Sequence, residues 1–386
     1  MITMRTIQHV EVFPLRLPVV KSFRFASGSA GAAGSKAPHV FVKVTDSEGE
    51  TGWGEGRPSP QWSYETPESV ATTIRTYFAP ALVGLPVTDR WALHRQMHAA
   101  IGRGPSTGQP IAKAAVDMAV HDLCARAAGM SLRSYLGGSD ARATVALSFT
   151  LTAHDAAATG EEVAAARAQG FRHFNFKAAV HPPQVDAGVA HATRAAAGPD
   201  GFVWADANQG FRLHEARAMA ASFADAGVNV LEQPLPADQM RLLRQLRNGC
   251  PLPLAADEAS VSPADFFHYA AEGLVDYLVI KVTRSGGIWP TIQQIAVAEA
   301  AGLPLLMSGL TESLLGKVAA CQVALAFGFA GPAALNGSQF VDEAALYPHK
   351  GKIEFEGAVH LSDAPGIGVR PDETALQALL DRDLTP

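Results

Sequence analysis

The chain is short of cysteine, has no excess of positive charge and no long apolar run, and each shortage closes off a class of function. Its three cysteines, Cys124, Cys250 and Cys321, stand far apart among 386 residues and form no C-x-x-C pair. That argues against a disulfide framework or a zinc knuckle and fits a reducing cytoplasm. Lysine and arginine number 31 against 37 acidic residues, a net charge of −6, and the basic residues are scattered. No electrostatic footprint for nucleic acid results. Nowhere do about 18 apolar residues run uninterrupted, and "MITMRTIQHVEVFPLRL" holds no apolar h-region before a small-residue cleavage site, so neither a membrane span nor a secretory signal is expected. No G-x-G-x-x-G follows the first strand pattern, which removes the usual dinucleotide fingerprint.

What is present is a soluble composition, 48% apolar and 18% charged. Residues 5–57 read as three strands, "TIQHVEVFPLRL", "HVFVKVTDSEG" and "ETGWGEG", the last two joined by a turn at Asp46 to Gly49. Between the first two lies "ASGSAGAAGSKA", expected to be a flexible connection or a mobile lid. From "TPESVATTIRTYFAPALVG" to "IAKAAVDMAVHDLCARAAGMSLRSYLGG" the apolar spacing is helical, so this region reads as a small α+β domain.

After residue 140 short apolar strands alternate with Ala-rich amphipathic helices. Eight strands are expected: "TVALSFTL", "HFNFKA", "FVWADA", "VNVLEQ", "LPLAADE", "DYLVIKV", "LPLLMS" and "AALNG". A repeat near 25 residues suits one strand, one crossover helix and two short loops, and eight such units close a parallel barrel. An open doubly wound sheet is the alternative.

The strand ends carry the chemistry, because the βα loops of such a barrel converge there. Lys177, Asp206, Glu232, Asp257 and Lys281 end five successive strands at spacings of 29, 26, 25 and 24 residues. Singly, Asp206 and Asp257 read as helix caps and Glu232 as a solvated turn. Together the three carboxylates would repel at one mouth unless a cation joins them. With no thiol or paired imidazole nearby, a hard ion is expected: Mg²⁺, with Mn²⁺ possible. Asn208 and Glu258 are expected to orient the ligands. A substrate carboxylate on that ion would have its α-proton acidified through an enediolate, and the two lysines would remove and return the proton, with their pKa values lowered by burial and neighbouring cations.

These residues resemble the enolase superfamily, specifically the mandelate racemase/muconate lactonizing enzyme branch. The likeness runs through "WGEG", "AAVDMAVHDLCARAAGMSLRSYLGG", "FKAAV", "WADANQGF", "LEQPL", "ADEA", "IKVTRSGGI", "SGLTESLLG" and "APGIGVRPDE". It implies an α/β fold: a modified (β/α)7β TIM barrel at 136–345, an α+β capping domain at 1–135, and a C-terminal segment at 346–386 that returns to the capping domain. By motif, Asp206, Glu232 and Asp257 would be metal ligands, Lys177 and Lys281 the acid/base pair, and Glu312 a residue near the substrate. Lid loops of the capping domain would choose the substrate's distal end through Lys21, Phe23, Arg24, Arg57, Trp62 and Tyr64. Two positions depart from the branch: Asn175 stands where a second lysine is usual, and Asn336 where an Asp is common, and each removes a charge near the mouth. The expected activity is Mg²⁺-dependent proton abstraction α to a small-molecule carboxylate by a cytoplasmic homo-oligomer. An isomerase leads, racemase, epimerase or cycloisomerase; a hydroxy-acid dehydratase or a non-catalytic relative are the alternatives.

Overall fold

The computed structural model describes residues 4–385 apart from 105, 106, 140 and 330. The N-terminal region builds an antiparallel sheet from β1 (Ile7–Pro18), β4 (Lys36–Asp46) and β5 (Thr51–Gly56), in the order β1-β4-β5. The turn between β4 and β5 is held by Asp46, whose Oδ1 accepts from the backbone N of Glu48 and Glu50, both at 2.9 Å. β2 (Phe23–Phe25) and β3 (Gly28–Gly31) form a separate hairpin, so part of the small-residue stretch expected to be flexible is ordered strand. The helix Pro110–Ala127 is buried along nearly its whole length and lies on β5, where glycines let it approach: a Cβ on Gly54 would sit 2.0 Å from the Ala115 carbonyl oxygen. A side chain at that point would push the helix off the sheet.

After β6 (Thr144–Ala146) the chain enters a parallel sheet of seven strands in sequential order: β7 (Ser148–Leu151), β8 (His173–Lys177), β9 (Val203–Asp206), β10 (Val230–Glu232), β11 (Leu254–Ala256), β12 (Tyr277–Ile280) and β13 (Leu305–Met307). Helices follow each strand, the last being Leu314–Ala326. The eighth strand is reduced to two parallel bridges, Ala333 to Leu147 and Ala334 to Ser308, which join the two edges of the sheet and close the barrel.

Two apolar layers lie on either side of the wall. Phe174 and Phe176 pack with the helices, Phe176 meeting Phe223 at 5.6 Å between ring centroids. Trp204, Val230, Ala255, Val279, Leu306 and Ala334 form their own cluster, one residue per strand, filling the interior. Strand alternation then dictates what lies two residues further on: Asp206, Glu232, Asp257, Lys281, Ser308 and Asn336 form the next layer up. The polar mouth is this second layer.

The C-terminal residues add β14 (Glu354–Phe355) and β15 (Ala358–His360), which pair with β6. They then reach the N-terminal sheet, where Leu380 bridges Leu15 and Asp381 pairs with Arg16 at 2.5 Å. Among the described residues no helix is long and apolar enough to cross a membrane.

Candidate active site

Register brings the first three residues into one row. Lys177 is the Cα partner of Asp206 across β8–β9, and Asp206 that of Glu232 across β9–β10. Asp257 and Lys281 follow the last residues of β11 and β12. Lys177 Nζ donates to Asp206 Oδ2 at 2.5 Å, and Lys281 Nζ donates to Asp257 Oδ2 at 2.5 Å. The other Asp257 oxygen accepts from Arg284 at 2.6 Å, a partner the sequence reading missed. Asn208 donates its backbone N to Asp206 Oδ1 and its Nδ2 to Glu258 Oε1, both at 2.9 Å.

Burial works against the Asp257 carboxylate, but Arg284 and Lys281 together hold its pKa well below the ordinary range. Glu232 has no such partner. It is 2% exposed, its Oε1 has no hydrogen bond, and burial, then Asp206 and Asp257, push its pKa well up. Glu258, half-buried, is pushed up to about 7 by burial and by the same two aspartates. Burial lowers the Lys177 pKa, but the neighbouring Asp206, Glu232 and Glu258 outweigh burial and raise it.

Among the described residues no group of three or more His, Cys, Asp or Glu side chains is drawn together as an ion cage. The reason is visible: Asp206 is turned to Lys177, and Asp257 to Lys281 and Arg284. The donor set nevertheless fits a hard divalent cation, three carboxylates in adjacent positions with an orphaned, buried oxygen on the middle one. The two lysines now neutralise the charge that such an ion would neutralise.

Aromatic rings from the N-terminal domain cover the lysines. The Trp62 ring centroid lies 5.3 Å from Lys177 Nζ and 4.6 Å from Lys281 Nζ, and Phe23 lies 5.1 Å from Lys177 Nζ. Phe25 and Phe340 complete the cover, at 5.1 Å from Trp62 and 4.6 Å from Phe23. Lys21 and Arg24 line a cavity of about 250 Å³ that also reaches Lys177, and Lys21 is paired with Glu162 at 2.6 Å. Arg57 and Glu312 are buried together below this cover; burial lowers the Arg57 pKa to about 10 against the pull of Glu312 and Glu55. Glu312 accepts from Thr283 and from the backbone N of Leu310. Tyr64 lies apart, 57% exposed, on a larger cavity of about 890 Å³ lined by Trp91, His98 and Lys113. That cavity contains neither lysine and none of the three aspartate and glutamate residues of the row, meeting the site only through Glu258.

Asn175 sits one pleat below Lys177, inside the wall. Its Nδ2 donates to Ser148 Oγ at 2.9 Å and its Oδ1 accepts from Thr150 Oγ1 at 2.8 Å. Asn336 donates to the same Thr150 Oγ1 at 2.5 Å, so the two positions that depart from the branch are joined through one hydroxyl. Thr150 and its neighbour in this network, Gln339, carried no signal in the sequence.

The family model for the mandelate racemase/muconate lactonizing enzyme N-terminal domain matches residues 10–137, and the enolase C-terminal domain-like model matches residues 158–375. The chain belongs to the enolase superfamily. Within this superfamily it is 30% identical over 384 residues to muconate cycloisomerase 1 of Rhodococcus opacus, covering 96% of this chain and 98% of the relative. It is 28% identical to the L-Ala-D/L-Glu epimerase of Bacillus subtilis, covering 93% and 95%. The crystal structure of the N-succinyl Arg/Lys racemase of Bacillus cereus superimposes with a TM-score of 0.87 at 25% identity, covering 97% of this chain and 98% of that one. These superfamily relatives are isomerases.

Proposed function

We propose that the protein is an isomerase that moves a proton α to the carboxylate of a small molecule, racemising, epimerising or cycloisomerising it. One observation carries the reading: two lysines, Lys281 buried and Lys177 largely so, stand at the two ends of a row of three carboxylates, under a single indole ring. Asp206, Glu232 and Asp257 would hold Mg²⁺, or Mn²⁺; when bound, the ion supplies positive charge beside the substrate carboxylate and acidifies the adjacent C–H. One lysine, as free amine, takes the α-proton, and the ammonium of the other returns a proton to the far side. Asn208 holds Asp206 and Glu258 in place, and Arg284 fixes the second oxygen of Asp257. Trp62 and Phe23 keep bulk water from the lysines. The isomerases among the relatives support this class of reaction, and three free cysteines support a cytoplasmic setting.

The test screens carboxylates for exchange of the α-proton in D₂O. Lys177→Ala and Lys281→Ala should each lower turnover by about 100-fold or more. Calorimetric titration should show Mg²⁺ binding that Glu232→Gln weakens. Full turnover in both lysine variants, or no heat on adding Mg²⁺, would sink the reading.

A further inference from the structure

The cavity of about 890 Å³ beside Tyr64 has no part in the proton transfer, yet its walls carry charged and aromatic groups. It lies between the N-terminal domain and the barrel helices Pro263–Ala271 and Ile288–Ala301, and its size is that of a small-molecule site.

The N-terminal domain brings the positive charge. Lys113, buried, reaches the cavity from the helix Pro110–Ala127. Its Nζ donates to His98 Nδ1 at 2.9 Å and to the Thr107 carbonyl oxygen at 2.6 Å. The third proton has only a long contact, 3.4 Å to the Ile101 carbonyl oxygen. All three acceptors are neutral, since burial and then Lys113 push the His98 pKa down to about 4, and His98 keeps its own proton on Nε2. Burial and then Arg103 lower the Lys113 pKa to about 8, which still leaves an ammonium at neutral pH. A buried ammonium with neutral partners alone is costly, and an anion beside it offsets the cost. Arg95 and Arg103 line the same cavity, and neither they nor Lys113 forms an ion pair among the described residues.

The acids of this cavity, Asp238, Glu258 and Asp265, all belong to the barrel. Asp265 Oδ2 accepts from Ser262 N and Ser262 Oγ, both at 2.7 Å, and Glu258 Oε1 accepts from Asn208. Charge is thus divided by domain, and a ligand that fits is anionic at one end only. Two hydroxyls await a partner: Ser285 Oγ, on a buried residue of the barrel, and Thr107 Oγ1, from the N-terminal domain, make no hydrogen bond. Trp91 and Trp289, one from each domain, meet edge to face at 5.6 Å on the wall, and Trp91 is 60% exposed. Indole rings accept a flat apolar body. A free phosphate would meet the cations and leave the indoles uncovered, and a neutral ring would do the reverse.

We propose that this cavity is a second ligand site, separate from the carboxylate row, and that it takes a monoanionic aromatic carboxylate with its charge at Lys113 and its ring against Trp91 and Trp289. One turn joins the two sites: Arg284 N and Ser285 N both donate to the Lys281 carbonyl oxygen, at 2.9 and 2.8 Å, so the turn that sends Lys281 and Arg284 to the row sends Ser285 to the cavity.

Calorimetry on the intact protein with Mg²⁺ uses 2-naphthoate, which has no α-proton to lose. It should bind about 10-fold or more tightly than 2-naphthamide, which keeps the ring and lacks the charge. Inorganic phosphate, which keeps charge and lacks the ring, should bind about 10-fold more weakly than 2-naphthoate. Lys113→Met should cut the preference for 2-naphthoate over 2-naphthamide to about 2-fold. Trp91→Ala, at an exposed position, should weaken 2-naphthoate about 5-fold while the melting temperature stays that of the parent. Glu232→Gln alters the row alone and should leave 2-naphthoate within about 2-fold of the parent. Should Lys113→Met fail to fold, Trp91→Ala and the three ligands decide. No heat with 2-naphthoate, equal binding of 2-naphthoate and 2-naphthamide, phosphate binding as tightly as 2-naphthoate, or parental behaviour in Lys113→Met or Trp91→Ala would overturn the proposal. So would loss of 2-naphthoate binding in Glu232→Gln, which would put the ligand on the row. No turnover is needed, so failure of the lysine chemistry would be seen separately in the D₂O screen.

Discussion

Glu65 shows what burial without a paired cation does to a single carboxyl. It is 1% exposed and accepts from Ile111 N at 2.7 Å and Ala112 N at 3.2 Å, at the start of the helix Pro110–Ala127. Burial pushes its pKa up to about 7 against those two N–H groups and Lys113. Unfolded, the same group titrates near about 4.3. The folded state therefore holds the proton more tightly, and the stability this gives is complete below about pH 4.3 and drains away as the pH rises through about 7. Glu65→Gln cannot ionise. Denaturant unfolding of the two proteins from pH 4.5 to 8 should show the parent losing roughly 2–4 kcal/mol relative to the variant. Parallel curves would mean that the carboxyl does not titrate in this window. Asp186, whose pKa burial also pushes up to about 7, slopes the same way in both proteins, which is why the difference between the curves is the quantity to read.

The elements differ in how plainly the sequence announces them. The strands β8 to β12 are legible because each ends in, or is followed at once by, a polar residue after an apolar run, at a nearly constant spacing, and because both faces are buried. The eighth strand is expected as "AALNG" but survives only as two bridges, since a short segment can close the ring with one hydrogen-bonded pair on each side. The five residues of the acid and base row are legible for the same reason as the strands. Their partners are not: Arg284 meets Asp257 from 27 residues away, and Asn336 meets Thr150 from 186, distances over which no pattern in the chain carries information. The hairpin of β2 and β3 was misread for a different cause. Its glycines and alanines permit close contact rather than laxity, as Ser29 N donating to Gln61 Oε1 at 3.1 Å and Ser29 Oγ donating to Phe23 O at 2.9 Å show. At the hairpin's tip Ala26 packs so closely that a Cβ on Gly210 would lie 2.5 Å from the Ala26 Cβ and 2.5 Å from the Ala179 Cβ. Gly210→Ala should lift the hairpin, and Phe23 with it, from the lysines. We expect KM to rise by about 10-fold and limited proteolysis near residues 26–31 to quicken, with a stability loss of about 1–3 kcal/mol. Unchanged proteolysis with unchanged KM would place the hairpin elsewhere in the cycle.

At the scale of the whole molecule, two acids of the N-terminal domain cap two barrel helices. Asp117 Oδ2 accepts from Ile288 N at 2.5 Å and Trp289 N at 3.2 Å, at the start of the helix Ile288–Ala301. Glu55 does the same for the next helix, Leu314–Ala326: Oε1 accepts from Ser313 N at 2.8 Å, and Oε2 from Ser313 Oγ at 2.6 Å and Gly316 N at 3.0 Å. Negative charge at a helix N-terminus is favourable, and here it comes from another domain, so the caps hold the aromatic cover over the barrel mouth as well as stabilising the helices. His39, fully buried and kept neutral by that burial, donates Nδ1 to Glu55 at 2.7 Å. Burial pushes the Glu55 pKa up, but the bonds from His39 and Ser313 outweigh it and bring it below the ordinary value. A lowered pKa contributes stability above the unfolded value, and that stability is lost as the pH falls through the folded one. Glu55→Gln removes the charge at nearly constant shape. It should cost about 2–4 kcal/mol at pH 7, read from denaturant unfolding. The deficit should narrow as the pH is lowered below about 4, where the parent's own carboxylate takes up its proton. A deficit of the same size at both pH values would show that shape rather than charge holds the two domains together.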